Sequence, residues 1–226
     1  MAKQTWVRVA NEWKAVKSVW TNISGSWKKD VMPHAWIGGV VKECMSYGVS
    51  AIYGLFGGGF WTTDRVDAYN TSLTRSTPTA LSQTRQRLVG TSVGDYGLFG
   101  GGGGSSVVDA YNTSLTRSTP TALSEGRDYF AGASVGDYGL FGGGGWTVTN
   151  IVDAYNTSLT RSTPATLSSS RRQLAGTSVG DYALFGGGTT SAFTDRVDAY
   201  NTSLTRSTPT ALSQVRTNLA GTSIYN

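Results

Sequence analysis

Val66–Ser82 reads VDAYNTSLTRSTPTALS, and the reading of this stretch decides the fold. The same seventeen residues return at Val108–Ser124 and Val197–Ser213, and at Val152–Ser168 with only Ala165 and Thr166 exchanged. The steps between Asp67, Asp109, Asp153 and Asp198 are 42, 44 and 45 residues. A fixed period of this size marks a repeat architecture, in which each unit buries its apolar surface against the next.

Each copy follows a glycine-rich apolar stretch: Tyr53-GLFGGG, Tyr96-GLFGGG, Tyr138-GLFGGG and Tyr182-ALFGGG. The repeat divides into four short strands. A small-residue strand (Leu-Ala/Val-Gly-Thr/Ala-Ser-Val) leads through a two-residue Gly-Asp turn to Tyr-Gly-Leu-Phe, which the glycine run stops. Val-Asp-Ala-Tyr is the third strand, with Asn-Thr-Ser as its turn. Leu-Thr-Arg-Ser-Thr is the fourth, which Pro78, Pro120, Pro164 and Pro209 break, as suits an outer edge. One four-stranded antiparallel sheet per repeat is a propeller blade, so the expected fold class is an all-β propeller of four blades.

These residues resemble the kelch repeat, with its glycine run after an apolar strand and a tyrosine further on. The resemblance covers residues 47–226. It departs from the pattern where kelch repeats carry a tryptophan after the tyrosine. Here Leu73, Leu115, Leu159 and Leu204 stand four residues past it. The chain is thus similar to a kelch-like variant, which implies the fold and not any particular kelch partner.

Residues 1–46 have their own period of fourteen: Thr5-WVRVANEWKAVKS, Val19-WTNISGSWKKDVM and Pro33-HAWIGGVVKECMS align without gaps. Asn11, Gly25 and Gly39 share the position where a turn needs positive φ. Each unit reads as a hairpin. Trp6, Trp13, Trp20 and Trp27 also fall at heptad spacing, but the Gly-Ser and Gly-Gly pairs would break such a helix. Hairpins this short are marginal alone, so Trp6, Trp13, Trp20, Trp27 and Trp36 form a small core together or face another chain in assembly. Short Trp/Lys hairpin repeats resemble segments of bacteriophage tail and other virion proteins, and the blades are similar to those of phages and their bacterial hosts.

Composition excludes several classes. The net charge is +5, of which residues 1–46 supply +4 (seven Lys/Arg against three Asp/Glu) and residues 47–226 only +1 (twelve arginines against eleven acids). A nucleic-acid footprint is not expected on the blades. Cys44 is the one cysteine and His34 the one histidine, so neither a disulfide framework nor a histidine metal cluster is expected. The first residues lack the apolar core of a signal peptide, and no run reaches the length of a membrane span. The glycine runs have no following Gly-Lys-Ser/Thr and helix, so they are not phosphate loops. The aspartates recur in every blade, as do Arg75, Arg117, Arg161 and Arg206, and Arg85, Arg127, Arg171 and Arg216. Such repetition points to bracing within and between blades rather than to catalysis. The Asn-x-Ser/Thr sequons at Asn70, Asn112, Asn156 and Asn201 belong to the repeated turn. No catalytic constellation, cofactor or metal is expected.

The repeats disagree at one end only. The loops after the glycine runs differ throughout, as do the segments QTRQRLV, EGRDYFA, SSRRQLA and QVRTNLA between repeats. Drift in unselected loops would give this pattern, and so would a binding face. Phe60, Trp61, Trp146 and Phe193 lie in these loops, and Arg87, Tyr129 and Arg172 in the segments. Aromatic faces stack on sugars and dominate protein hot spots, and arginine adds cation–π contacts.

The resemblance and this face together imply a non-enzymatic virion component (tail fibre, baseplate or decoration), made in the host cytoplasm. Residues 1–46 would join other virion proteins, the chain would be a homo-oligomer in the particle, and residues 47–226 would adhere to a host-surface glycan or protein. A cytoplasmic bacterial interaction scaffold and a carbohydrate-active propeller enzyme are the rival readings. Two closures of the blades are open. Leu219–Ser223 can complete the blade that begins near Tyr53 and close a ring, the favoured expectation, or two or more chains can pool their blades.

Overall fold

The computed structural model describes residues 52–60 and 63–224, and in residues 1–51 the backbone of six strands. The side chains of Trp6, Trp13, Trp20, Trp27 and Trp36 lie outside the described residues, as do Trp61, the turn residues Asn11, Gly25 and Gly39, and residues 47–51. The chain divides into two units at Ala51/Ile52, where the sequence places the boundary after residue 46.

The first unit contains the three expected hairpins. β1 (Thr5–Val9) pairs with β2 (Glu12–Val16), β3 (Trp20–Ile23) with β4 (Ser26–Lys29), and β5 (His34–Ile37) with β6 (Val40–Glu43), all antiparallel.

The second unit is all-β, a propeller-like succession of four antiparallel blades. The first blade consists of β7 (Tyr53–Gly57), β8 (Val66–Asn70) and β9 (Arg75–Ser76). The second holds β10 (Val89–Val93), β11 (Tyr96–Gly100), β12 (Val108–Tyr111) and β13 (Arg117–Ser118). The third holds β14 (Ala131–Val135), β15 (Tyr138–Gly142), β16 (Val152–Asn156) and β17 (Arg161–Ser162). The fourth holds β18 (Ala175–Val179), β19 (Tyr182–Gly186), β20 (Val197–Asn201) and β21 (Arg206–Ser207). In each complete blade the strands lie in chain order.

The turns explain the repeated letters. Gly94, Gly136 and Gly180 have φ near 50°, so the Gly-Asp pair forms a hairpin turn whose first central residue is left-handed. In the next turn Asn70 Oδ1 accepts from the N–H of Ser72 (3.0 Å) and of Thr74 (2.9 Å), and the same pair recurs at Asn112, Asn156 and Asn201. Each asparagine side chain is therefore spent on its own turn. The fourth residue, Leu73, Leu115, Leu159 or Leu204, takes φ of 58–60°, an uncommon conformation for leucine. Leu159 and Leu204 pack against the core that their blade shares with the preceding one, which offsets that strain.

The cores lie between blades rather than within them. One cluster joins Val66 and Leu81 of the first repeat to Phe99 and Tyr111 of the second. The next joins Leu98, Val108 and Leu123 to Phe141 and Tyr155, and the last joins Leu140, Val152 and Leu167 to Phe185 and Tyr200. At each seam a phenylalanine ring covers the last glycine of the preceding second strand: Phe99 on Gly57, Phe141 on Gly100 and Phe185 on Gly142. A β-carbon at those glycines would stand 2.9–3.0 Å from the ring, so no larger residue fits without displacing it.

Among the described residues the expected closure of a ring by the chain's own ends is not formed. Leu219–Ser223 is not a strand of the first blade. Its Ser223 hydroxyl lies 3.0 Å from that of Thr177 and accepts from Ser178 N, on the far side of the fourth blade. Phe56, the counterpart of buried Phe99, Phe141 and Phe185, is 69% exposed. A repeat sequence specifies what one blade presents to the next. Whether the fourth meets the first depends on the rotation per blade, which the repeat does not encode.

The candidate recognition end

Two kinds of turn separate to opposite ends of the blades. At one end the constant turns interlock, and a β-carbon at Gly94 would stand 2.9 Å from the Thr157 methyl of the next blade. At the other end the varied loops bond to the varied segments. Arg127 N donates to Ser105 O (3.2 Å), Gly145 N to Asp128 O (2.7 Å), and Arg171 N to Thr149 O (3.1 Å). Arg172 and Thr189 exchange backbone bonds in both directions, at 3.0 and 2.9 Å. The two variable sets therefore form one surface, as strand parity requires.

Under that surface the repeated charges hold the blades together. Arg127 reaches across its seam, donating to Ile151 O (2.9 Å), Phe141 O (3.2 Å) and the Asp153 carboxylate. Arg161 donates to the same carboxylate from its own blade at 2.8 Å, and the Ser124 hydroxyl of the preceding repeat donates at 3.1 Å. Arg85 with Arg117 at Asp109, and Arg171 with Arg206 at Asp198, repeat the arrangement. Burial lowers the pKa of Arg85, Arg127 and Arg171, and the paired aspartates oppose that shift. These groups are consumed by structure, in keeping with the bracing role expected of them. Among the described residues no three His, Cys, Asp or Glu side chains gather as a metal site needs.

The expected adhesive residues fall into three places. Arg87, Tyr129 and Trp146 form one continuous stack. The Arg87 guanidinium lies 4.9 Å from the Tyr129 ring centre, and Tyr129 meets Trp146 edge to face at 5.7 Å. Trp146 remains 67% exposed. Buried Asp128 lies 3.8 Å from Arg87 Nη1 and draws the guanidinium toward the stack. Arg87 and Tyr129 occupy the same place in successive repeats, with φ of 57° and 55°. Gln173 and Asn218 follow at that place with the same conformation.

Exposed Phe60 lies on the rim of a groove of about 710 Å³ lined by Gln83, Gln86, Gly102, Gly103 and Ser105. Arg172 sits one position before the stacking place and is bridged to Thr189, itself bridged to exposed Phe193. The structure thus brings Arg87, Tyr129 and Trp146 together, and joins Arg172 to Phe193 through Thr189 at another corner. Trp61 lies outside the described residues. Asp128 was not anticipated, because a single acid in a varied segment gives no periodic signal. No protein-family model matches the chain, and no curated protein matches it.

Proposed function

We propose that the protein is a non-catalytic recognition component whose loop-bearing end binds a host-surface glycan or protein. We assign it to the class of bacteriophage virion proteins that its repeats resemble. The observation that carries the reading is the Arg87–Tyr129–Trp146 stack. Above strands and turns that repeat nearly letter for letter, it is a non-repeating set of aromatic and cationic groups at the surface. Tryptophan and tyrosine faces provide stacking area for sugar rings, and the adjacent guanidinium suits a neutral or acidic polymer. Residues 1–46 would attach the chain to neighbouring virion proteins through their tryptophans.

The test is binding of the full chain to intact bacteria and to their purified surface polysaccharide, with polymer length followed in the same samples. Binding without shortening supports the proposal. Shortening would make the protein an enzyme, and binding only to cytoplasmic proteins would make it a scaffold. Deleting residues 1–46 should leave polysaccharide binding intact while abolishing co-sedimentation with virus particles.

A further inference from the structure

The two end faces of the blade stack are the two halves of a seam that the chain already builds three times. On the leading face, Phe56 has no glycine to cover and is 69% exposed, whereas Phe141 and Phe185 are fully buried. Tyr69 is exposed too, whereas Tyr111, Tyr155 and Tyr200 donate to carbonyls of the preceding repeat at 2.7 Å. Among the described residues Asp67 has only Arg75 of its own blade, at 3.3 Å, in place of the second arginine and the serine that hold Asp109.

The trailing face lacks the matching partners. Arg216 and Ser213, the counterparts of Arg127 and Ser124, are exposed. Gly186 has no ring over it; its nearest neighbours would be Val197 and Leu212, 3.8 and 3.9 Å from a β-carbon. A largely apolar groove of about 640 Å³ opens there, lined by Val179, Tyr182, Leu184 and Leu212 among others. Val179 is 59% exposed, whereas Val93 and Val135 are buried.

The strand inventory shows the same complementarity. Ala220–Ile224 repeats the sequence pattern of β14 and β18. It lies against β18 as β18 lies against β14, since Ser223 bonds Ser178 in the way that Ser178 bonds Ser134. It stands where the innermost strand of a further blade would lie, although it is not itself a strand. The first blade, among the described residues, has the other three strands and no innermost one.

We propose that the trailing face binds the leading face of a second copy of this chain, in the register of the internal seams. Phe56 of one copy would cover Gly186 of the other, Arg216 and Ser213 would engage Asp67, and Tyr69 would donate to the carbonyl of Thr210. Ala220–Ile224 would pair with β7 and complete a blade shared by two chains. The contact is heterologous, so it yields a ring where the rotation closes and a filament where it does not. The second copy is favoured as occupant because the surfaces match residue for residue. The proposal is independent of what the loop-bearing end binds.

Sedimentation of the full chain over a range of concentrations tests it, with Phe56→Glu altering the leading face and Arg216→Glu the trailing face. Both sites are exposed, so circular dichroism of each variant alone, and its melting temperature at concentrations where the unaltered chain is dissociated, should match the unaltered chain. The unaltered protein should associate, and each substitution should weaken that association by about thirtyfold or more. Mixing the variants decides the geometry, because each retains the face that the other lacks. A one-to-one pair that grows no further is expected. An unaltered chain that stays monomeric at its highest soluble concentration would overturn the proposal, as would variants that fail to pair when mixed. Exchange protection of β7 and Phe56 in such a monomer would indicate a ring closed within one chain.

Discussion

The Phe185 ring lies against Gly142 of the preceding blade, 3.0 Å from where a β-carbon would stand. Sheet-on-sheet contact at each seam depends on that missing side chain. Gly142→Ala should therefore cost about 1–3 kcal/mol through overpacking. Gly186→Ala, at the equivalent place with nothing nearer than 3.8 Å, should leave stability unchanged. Urea denaturation of both variants at low protein concentration makes the comparison.

The buried Arg127–Asp153–Arg161 group should be the least tolerant of truncation. Arg127→Met leaves the carboxylate with one cation, and Asp153→Asn leaves two guanidinium groups without their counter-charge. Each should cost about 3–5 kcal/mol, the usual penalty for a buried charge deprived of its partner. The first-blade counterpart Asp67, whose side chain is 36% exposed beside Arg75 at 59%, should lose no more than about 1 kcal/mol as Asp67→Asn. Thermal melts of the three variants rank them.

Alkali should unfold the blades through their tyrosines. Burial first and Asp109 second push the Tyr111 phenol from 10.0 up to about 12, and burial raises Tyr155 and Tyr200 in the same direction. A neutral phenol in the fold and a more acidic one in the unfolded chain favour folding at pH below the unfolded value of 10.0. That contribution falls between pH 10 and about 12, as the unfolded chain gains charge that the fold resists. Equilibrium unfolding followed across this window should show a loss that Tyr111→Phe partly removes.

Trp146→Ala should reduce binding by about 1–3 kcal/mol while leaving the melting temperature nearly unchanged, because the ring is a mostly exposed loop group. Tyr129→Ala should do the same and also release Arg87. Tyr155→Ala is the matched control, since its fully buried ring should damage folding instead. Isothermal titration with surface polysaccharide, beside thermal melts, separates the two effects.

The four blades and the bracing roles of arginine and aspartate were legible in the sequence because each recurs at a fixed step. A group that must act at every seam leaves a periodic mark. The fourth strands were expected over five residues and span two, Arg75–Ser76 and its counterparts, because the turn after each asparagine consumes the preceding leucine and threonine. The fit of phenylalanine onto glycine was written in the repeat, but both residues lie in the same stretch, and sequence does not say that they meet across a seam. Arg87 and Tyr129 were singled out for being different, while their stacking follows from being equivalent. The unclosed ends left no trace in that motif, since exposed Phe56 and buried Phe99 both sit in YGLFGGG.

The identity of the three seams has a consequence for how such a gene changes. A duplication or deletion of one whole unit of 42–45 residues places, at every new junction, the residues already used at the old ones. No compensating substitution is needed, so unequal recombination between the near-identical segments can alter blade number in one event. The loops of a newly copied blade then diverge without disturbing the phenylalanine, glycine, arginine and aspartate beneath them. The seam is conserved by its own repetition, and the reach and surface of the protein become quantities that lineages can vary independently.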